Sequence, residues 1–265
     1  MSRLLHPAPD LASFPALTPD PRSFRRVVLL MVGSVLLLAV LGFGGCRLVG
    51  GSDPAPPTKL TAYTLVGPRS PGCLRLVIGM DVSGSMRKFA SARDAALAQL
   101  QEWASLPNTL RADDEIAVVD FALESAVRFA PAPAAATPHL PAVPVRDGAD
   151  TLLRPMLDQM RSFAVSTPPC DLVLLLISDA IVADVPASTE DGRRLLREYG
   201  VHDLRLLVPG QGIEVPDAWI ETFPDAPPIK FDGLDPDETA LTIGKTIGQL
   251  TGQRFLPTPV TTVTR

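Results

Sequence analysis

The chain has 265 residues, 46% hydrophobic, 20% charged and 5% aromatic. That balance excludes a wholly disordered polypeptide and leaves room for one good core, or two small ones. Its 28 Pro and 19 Gly exceed the globular average without a collagen-like period, and a net charge of −5 argues against a general nucleic-acid binder.

In chain order, residues 1–26 read as an unstructured cytoplasmic tail, with Pro7, Pro9, Pro15, Pro19 and Pro21. Residues 27–45 (VVLLMVGSVLLLAVLGFGG) carry no charge. At 1.5 Å per residue such a helix spans roughly 28 Å, the thickness of a bilayer core. Arg22, Arg25 and Arg26 precede it directly, so the positive-inside rule leaves the rest of the chain outside the cytoplasmic membrane. Small residues stand just before Cys46, which resembles a bacterial lipobox. The segment is therefore either a retained single-pass transmembrane helix or a lipoprotein signal with Cys46 lipidated. Residues 46–60 are a Gly- and Pro-rich linker.

Residues 61–255 alternate strands and helices, and 256–265 form a C-terminal tail. Strands are expected at Cys73–Met80 (CLRLVIGM), Glu115–Phe121, Leu172–Ile177 and His202–Val208, with an edge strand at Ala126–Phe129 and a short last one at Ile229–Phe231. LVLLLI at 172–177 is the continuous apolar run that burial on both faces of a parallel sheet produces. Helices are expected over Met86–Leu106, where Phe89, Ala92, Ala96, Leu100 and Trp103 form one stripe, and over Leu152–Phe163, Glu190–Tyr199 and Asp237–Leu250. Residues 130–149 read as a long loop. The order implies an α/β fold, a doubly wound, mostly parallel sheet with helices on both faces.

The chemistry concentrates at Asp81-Val82-Ser83-Gly84-Ser85-Met86, at the carboxyl end of the first long strand, where open sheets bind ligands. Asp179 follows LVLLLIS as Asp81 follows LRLVIGM. If the two strands are neighbours, two carboxylates and two hydroxyls converge. Like charges held close are costly without a cation, and hard oxygen donors without His or Cys suit Mg²⁺, with Mn²⁺ or Ca²⁺ as alternatives.

DVSGSM, an Ala/Leu-rich helix, a Thr loop and LLLISDA together resemble the von Willebrand factor type A domain and its metal-ion-dependent adhesion site, over roughly residues 73–253. The resemblance implies a metal held by Ser83, Ser85 and a loop Thr, with Asp81 and Asp179 acting through water. One coordination position would stay open for an acidic residue of a protein partner. The family's Gly-Gly-Thr is here Gly148-Ala149-Asp150-Thr151, so alignment on the glycine selects Asp150 and alignment on the helix selects Thr151. Thr151 is preferred. An added Asp150 carboxylate would tighten cation binding and weaken attraction for an acidic ligand.

Cys73 lies eight residues before Asp81 and Cys170 nine before Asp179. In neighbouring parallel strands they would meet at the opposite sheet edge and form a disulfide outside the cytoplasm. Two separate buried thiols are the alternative. His6, His139 and His202 are scattered. Asp113, Asp114 and Glu115 read as a solvated approach to a strand, Trp103 as packing, and Trp219 as an exposed contact. No Gly-rich phosphate loop, Ser/His/Asp order or H-E-x-x-H appears. The expectation is a membrane-anchored, cation-dependent protein-binding module of the cell envelope, a candidate subunit of a membrane complex, and not an enzyme. A structural scaffold with a degenerate metal site is the alternative, and a Mg²⁺-dependent phosphoester hydrolase the remaining one.

Overall fold

The computed structural model describes residues 55–69, 72–146, 148, 150–165 and 169–259. The tail, the apolar 27–45 segment, Cys46 and most of the linker lie outside the described residues. Among the described residues no helix is long and apolar enough to cross a membrane.

Thirteen regular elements, joined by short 3₁₀ turns, follow one another among the described residues. They are β1 (Tyr63–Val66), β2 (Leu74–Asp81), α1 (Ala90–Ala104), β3 (Glu115–Phe121), β4 (Ser125–Pro133), α2 (Arg154–Ala164) and β5 (Asp171–Ile177). Then come α3 (Thr189–Glu198), β6 (Asp203–Val208), α4 (Asp217–Thr222), β7 (Pro228–Lys230), α5 (Pro236–Thr251) and β8 (Arg254–Pro257). Six strands form one sheet in the order β4-β3-β2-β5-β6-β7. β4 runs antiparallel to β3, and every other neighbouring pair is parallel. Counted from β2, this is the 3-2-1-4-5-6 order of a doubly wound fold. The order reverses between β2 and β5, which opens a crevice at their carboxyl ends.

Alternation along the central strands feeds two cores. Leu76, Ile78, Val173 and Leu175 face α1 and α5 through Leu97, Leu100, Trp103, Ile243 and Ile247. Val77, Leu174 and Leu176 face α2 and the α3–α4 layer through Met156, Leu157, Met160 and Leu195. Gly79 lets α2 approach β2 closely, because a Cβ there would lie 2.6 Å from Met156 Sδ. The buried threonines of α5 return their hydroxyls to carbonyls one turn back: Thr239 to Asp235, Thr242 to Glu238, Thr246 to Thr242 and Thr251 to Ile247. These groups are thereby satisfied within the helix itself.

Several expectations need correction. The helix expected from Met86 begins as a 3₁₀ segment, Gly84–Phe89, before α1. β4 runs on to Pro133 into the stretch read as loop, since an edge strand tolerates Pro131 and Pro133. β1 and β8, neither of them among the expected strands, pair antiparallel in a separate two-stranded ribbon. Trp219 is fully buried on α4 against Phe223, with ring centroids 4.7 Å apart, and is no exposed contact. Asp114 is buried rather than solvated. It pairs with both terminal nitrogens of Arg69 and accepts from the backbone N–H groups of Leu74 and Arg111, so it holds the start of β2.

Cys73 and Cys170 are joined in a disulfide with Cα atoms 4.8 Å apart. They stand one residue before the paired Leu74 and Asp171, so the bridge ties β2 to β5 at the amino ends of both strands.

Candidate functional site

β2 delivers Asp81 to the switch point fully buried. Its Oδ1 accepts from the backbone N–H of Ser83 at 2.9 Å, and its Oδ2 accepts from the Ser178 hydroxyl at 2.6 Å. Ser178 Oγ accepts in turn from the N–H of Ala180 at 2.9 Å. The carboxylate is thus fixed by the turn that follows its own strand and by the turn that follows β5. Burial pushes the Asp81 carboxyl above its ordinary range; the bonds from Ser178 and Ser83 pull it back, and the nearby Asp179 charge adds to the rise.

Ser83 and Ser85 lie on the 3₁₀ entry to α1, with Oγ atoms 3.2 Å apart. No side-chain hydrogen bond caps this entry. Asp179 is nearly buried and accepts from the N–H of Ile181 at 3.0 Å. Between them Ala180 adopts φ +59°, a left-handed conformation that a Cβ makes unfavourable. The turn carrying Asp179 is therefore held against its local preference by the bonds around it.

Thr151 arrives from the far side of the crevice. Its carbonyl accepts from Ala183 N–H at 2.9 Å, and the next residue, Leu152, donates to the carbonyl of Ala122 at 2.9 Å. Ser83, Ser85, Asp150, Thr151, Ile181 and Ala183 share one shallow cleft of about 370 Å³. Asp150 is exposed at its rim, whereas Thr151 is nearly buried. Four of the expected residues, Ser83, Ser85, Asp150 and Thr151, thus come together in the cleft, and Asp81 and Asp179 are buried at the strand ends rather than lining it.

Beneath Asp81 sits a charge cluster that the sequence did not announce. Arg93 of α1 is buried and donates to the backbone carbonyl of Asp81. Burial lowers its pKa, against the opposing attraction of Asp81, Asp94 and Asp120. Arg128 of β4 bonds both oxygens of Asp120, at 3.0 and 2.6 Å, and reaches Asp94 at 2.8 Å. Asp120 also accepts from the N–H of Val143 at 2.8 Å, which fastens the Pro-rich segment leading to Thr151. By formal charge, the four carboxylates Asp81, Asp94, Asp120 and Asp179 outnumber the two guanidinium groups Arg93 and Arg128.

That imbalance and an all-oxygen donor set fit a hard divalent cation. Among the described residues no group of three or more His, Cys, Asp or Glu side chains is placed to hold a metal ion, so any such site would depend on the hydroxyls. The sequence missed Ser178, although its place beside Asp179 was a signal. It also missed Arg93, which carries none.

No family model matches the sequence, and no curated protein matches it. Among solved structures the chain is similar to proximal thread matrix protein 1 from the mussel byssus, described with a zinc-occupied MIDAS motif. The identity is 16% over 68% of this chain and 48% of that one, with a TM-score of 0.47. It is similar to the ArnB paralog VWA2 of Sulfolobus acidocaldarius at 14% identity, covering 69% and 46% of the two chains, with a TM-score of 0.44. It is also similar to the manganese-loaded TRAP protein of Plasmodium vivax at 14% identity, covering 74% and 79%, with a TM-score of 0.48. The chain spans about half the length of the first two. Likeness at this level carries no functional argument; the reading of the site rests on its own residues.

Proposed function

We propose that residues 61–255 form a protein-binding module, not an enzyme, whose cleft takes a divalent cation and through it an acidic side chain of a protein partner. Ser83, Ser85 and Thr151 would hold the ion, with Asp81 and Asp179 behind them. Mg²⁺ is the preferred ion, Mn²⁺ or Ca²⁺ the alternatives. Bound there, the ion would supply a positive point charge with a position free for a partner carboxylate. The observation that carries the reading is the meeting of Ser83, Ser85 and Thr151 at one cleft, next to strand ends whose Asp81 and Asp179 charges act on each other.

The module would work outside the cytoplasmic membrane, carried by a single span at residues 27–45 or by a lipid on Cys46, within a larger membrane complex. The disulfide supports an oxidising compartment. Intact mass of the membrane-extracted chain separates the two anchors.

A second reading is a scaffold whose site binds no cation. It is favoured by the engagement of both Asp81 oxygens with protein donors and by the absence, among the described residues, of a carboxylate-rich cluster. Calorimetric titration of the full-length chain in detergent with Mg²⁺ and Mn²⁺, beside Asp81→Ala, decides between them. Saturable binding that Asp81→Ala abolishes supports the cation-dependent module. Its absence in the parent leaves the scaffold.

A further inference from the structure

Thr151 precedes α2 by three residues, and the amino end of that helix lacks a cap of its own. The first N–H groups of any helix need partners from outside it. The cap position is Leu153, whose side chain is fully buried and apolar and makes no capping bond. The missing acceptor comes from another loop. Asp184, on the connection between β5 and α3, accepts from Leu153 N–H at 2.7 Å with Oδ1 and from Arg154 N–H at 2.8 Å with Oδ2.

The contact is reciprocal. Ala183, next to Asp184, donates its N–H to the Thr151 carbonyl at 2.9 Å, and Leu152 N–H is taken by Ala122 at the end of β3. Residues 151 to 154 are therefore clamped from both sides, with Asp184 supplying both bonds at the helix end. The loop that clamps them opens with Ser178 and Asp179, which hold Asp81 and the Ile181 turn. One short segment thus registers three parts of the cleft against each other.

We propose that Asp184 is a positioning residue of the cation site, acting through Thr151. In this reading it does not touch the ion; it fixes the backbone of Thr151, which lines the same cleft as Ser83 and Ser85. This rests on the cation-binding reading given above.

The test is Mn²⁺ affinity of the full-length chain in detergent, measured by the electron paramagnetic resonance of free Mn²⁺. The variants are Asp184→Ala, Asp184→Asn, Thr151→Ala and the Thr151→Ala/Asp184→Ala pair, each with its melting temperature. Asp184→Ala is expected to weaken Mn²⁺ binding roughly 10-fold, the scale of a residue that orients a metal ligand. Asp184→Asn, which keeps one carbonyl acceptor, recovers part of the loss and serves as the folded comparison should the alanine variant not fold. In the Thr151→Ala background, Asp184→Ala costs no further affinity, whereas a merely structural role would weaken binding in both backgrounds. Unchanged affinity in Asp184→Ala, or in Asp184→Asn if only that variant folds, overturns this inference alone, and so does a loss that adds fully to that of Thr151→Ala. A parent chain with no saturable Mn²⁺ binding overturns the cation reading, and the role of Asp184 with it.

Discussion

Removing the disulfide is the sharpest perturbation of the fold, because its effect is calculable and separable from the cleft. The bridge closes a loop with a sequence separation of 97. For a loop of about 100 residues, chain entropy alone makes cross-linking worth about 4.7 kcal/mol at 25 °C, and measured losses on removal run about 2–5 kcal/mol. The 4.8 Å Cα separation is the natural spacing of hydrogen-bonded strands, so β2 and β5 need not move when the bond is absent. The Cys73→Ala/Cys170→Ala variant is therefore expected to lose about 4 kcal/mol, and its melting temperature to fall by roughly 8–16 °C on the scale of a domain this size. Urea unfolding followed by circular dichroism measures the loss. The slope against urea should also rise, since the uncrosslinked unfolded chain exposes more surface. Asp81 lies eight residues up β2, about 26 Å away at the rise of a strand, so cation affinity should stay unchanged. A loss below about 1 kcal/mol would refute the entropic reasoning, and an altered cleft would refute the claim that the native strands stay in place.

Two further substitutions probe the cleft's foundations. Arg128→Ala leaves Asp120 fully buried with an unbalanced charge, and a loss of about 3–5 kcal/mol is expected in urea unfolding; near-neutral behaviour would mean that water or another cation replaces the guanidinium. Gly79→Ala sets a methyl against Met156 Sδ and should cost about 1–3 kcal/mol through overpacking, and should cost much less when introduced into a Met156→Ala background. Failure of that rescue would place the strain elsewhere.

What could be read from the sequence was whatever is encoded locally. β2 and β5 announce themselves as apolar runs ending in Asp81 and near Asp179, and their residue counts bring Cys73 and Cys170 to one level. The stripe from Phe89 to Trp103 is buried as its spacing requires. Hidden from such reading were partners far apart in the chain. Asp184 caps a helix 30 residues upstream, Asp114 holds the start of a strand 40 residues upstream, and β1 finds β8 across nearly the whole domain. α4 was missed because six residues between Pro216 and Pro224 carry too little periodicity, and Trp219 was misjudged with it. That Thr151 lies deeper than Asp150 likewise depends on tertiary contacts, among them the clamp on residues 151 to 154.

The β1–β8 ribbon has a mechanical consequence. The indole of Trp103, at the end of α1 far from the cleft, donates to the Tyr63 carbonyl, and Leu65 N–H reaches Asn108 beyond that helix. The polypeptide therefore enters and leaves the domain at the pole opposite Ser83 and Ser85. A pull exerted at the cleft against a tether on the amino side runs lengthwise along β2 and its neighbours. It meets their interstrand bonds in shear, many at once rather than one after another. Seven residues in from the ribbon, Cys73 welds β2 to β5, so the two strands that carry Asp81 and Asp179 share the load from their first residues onward.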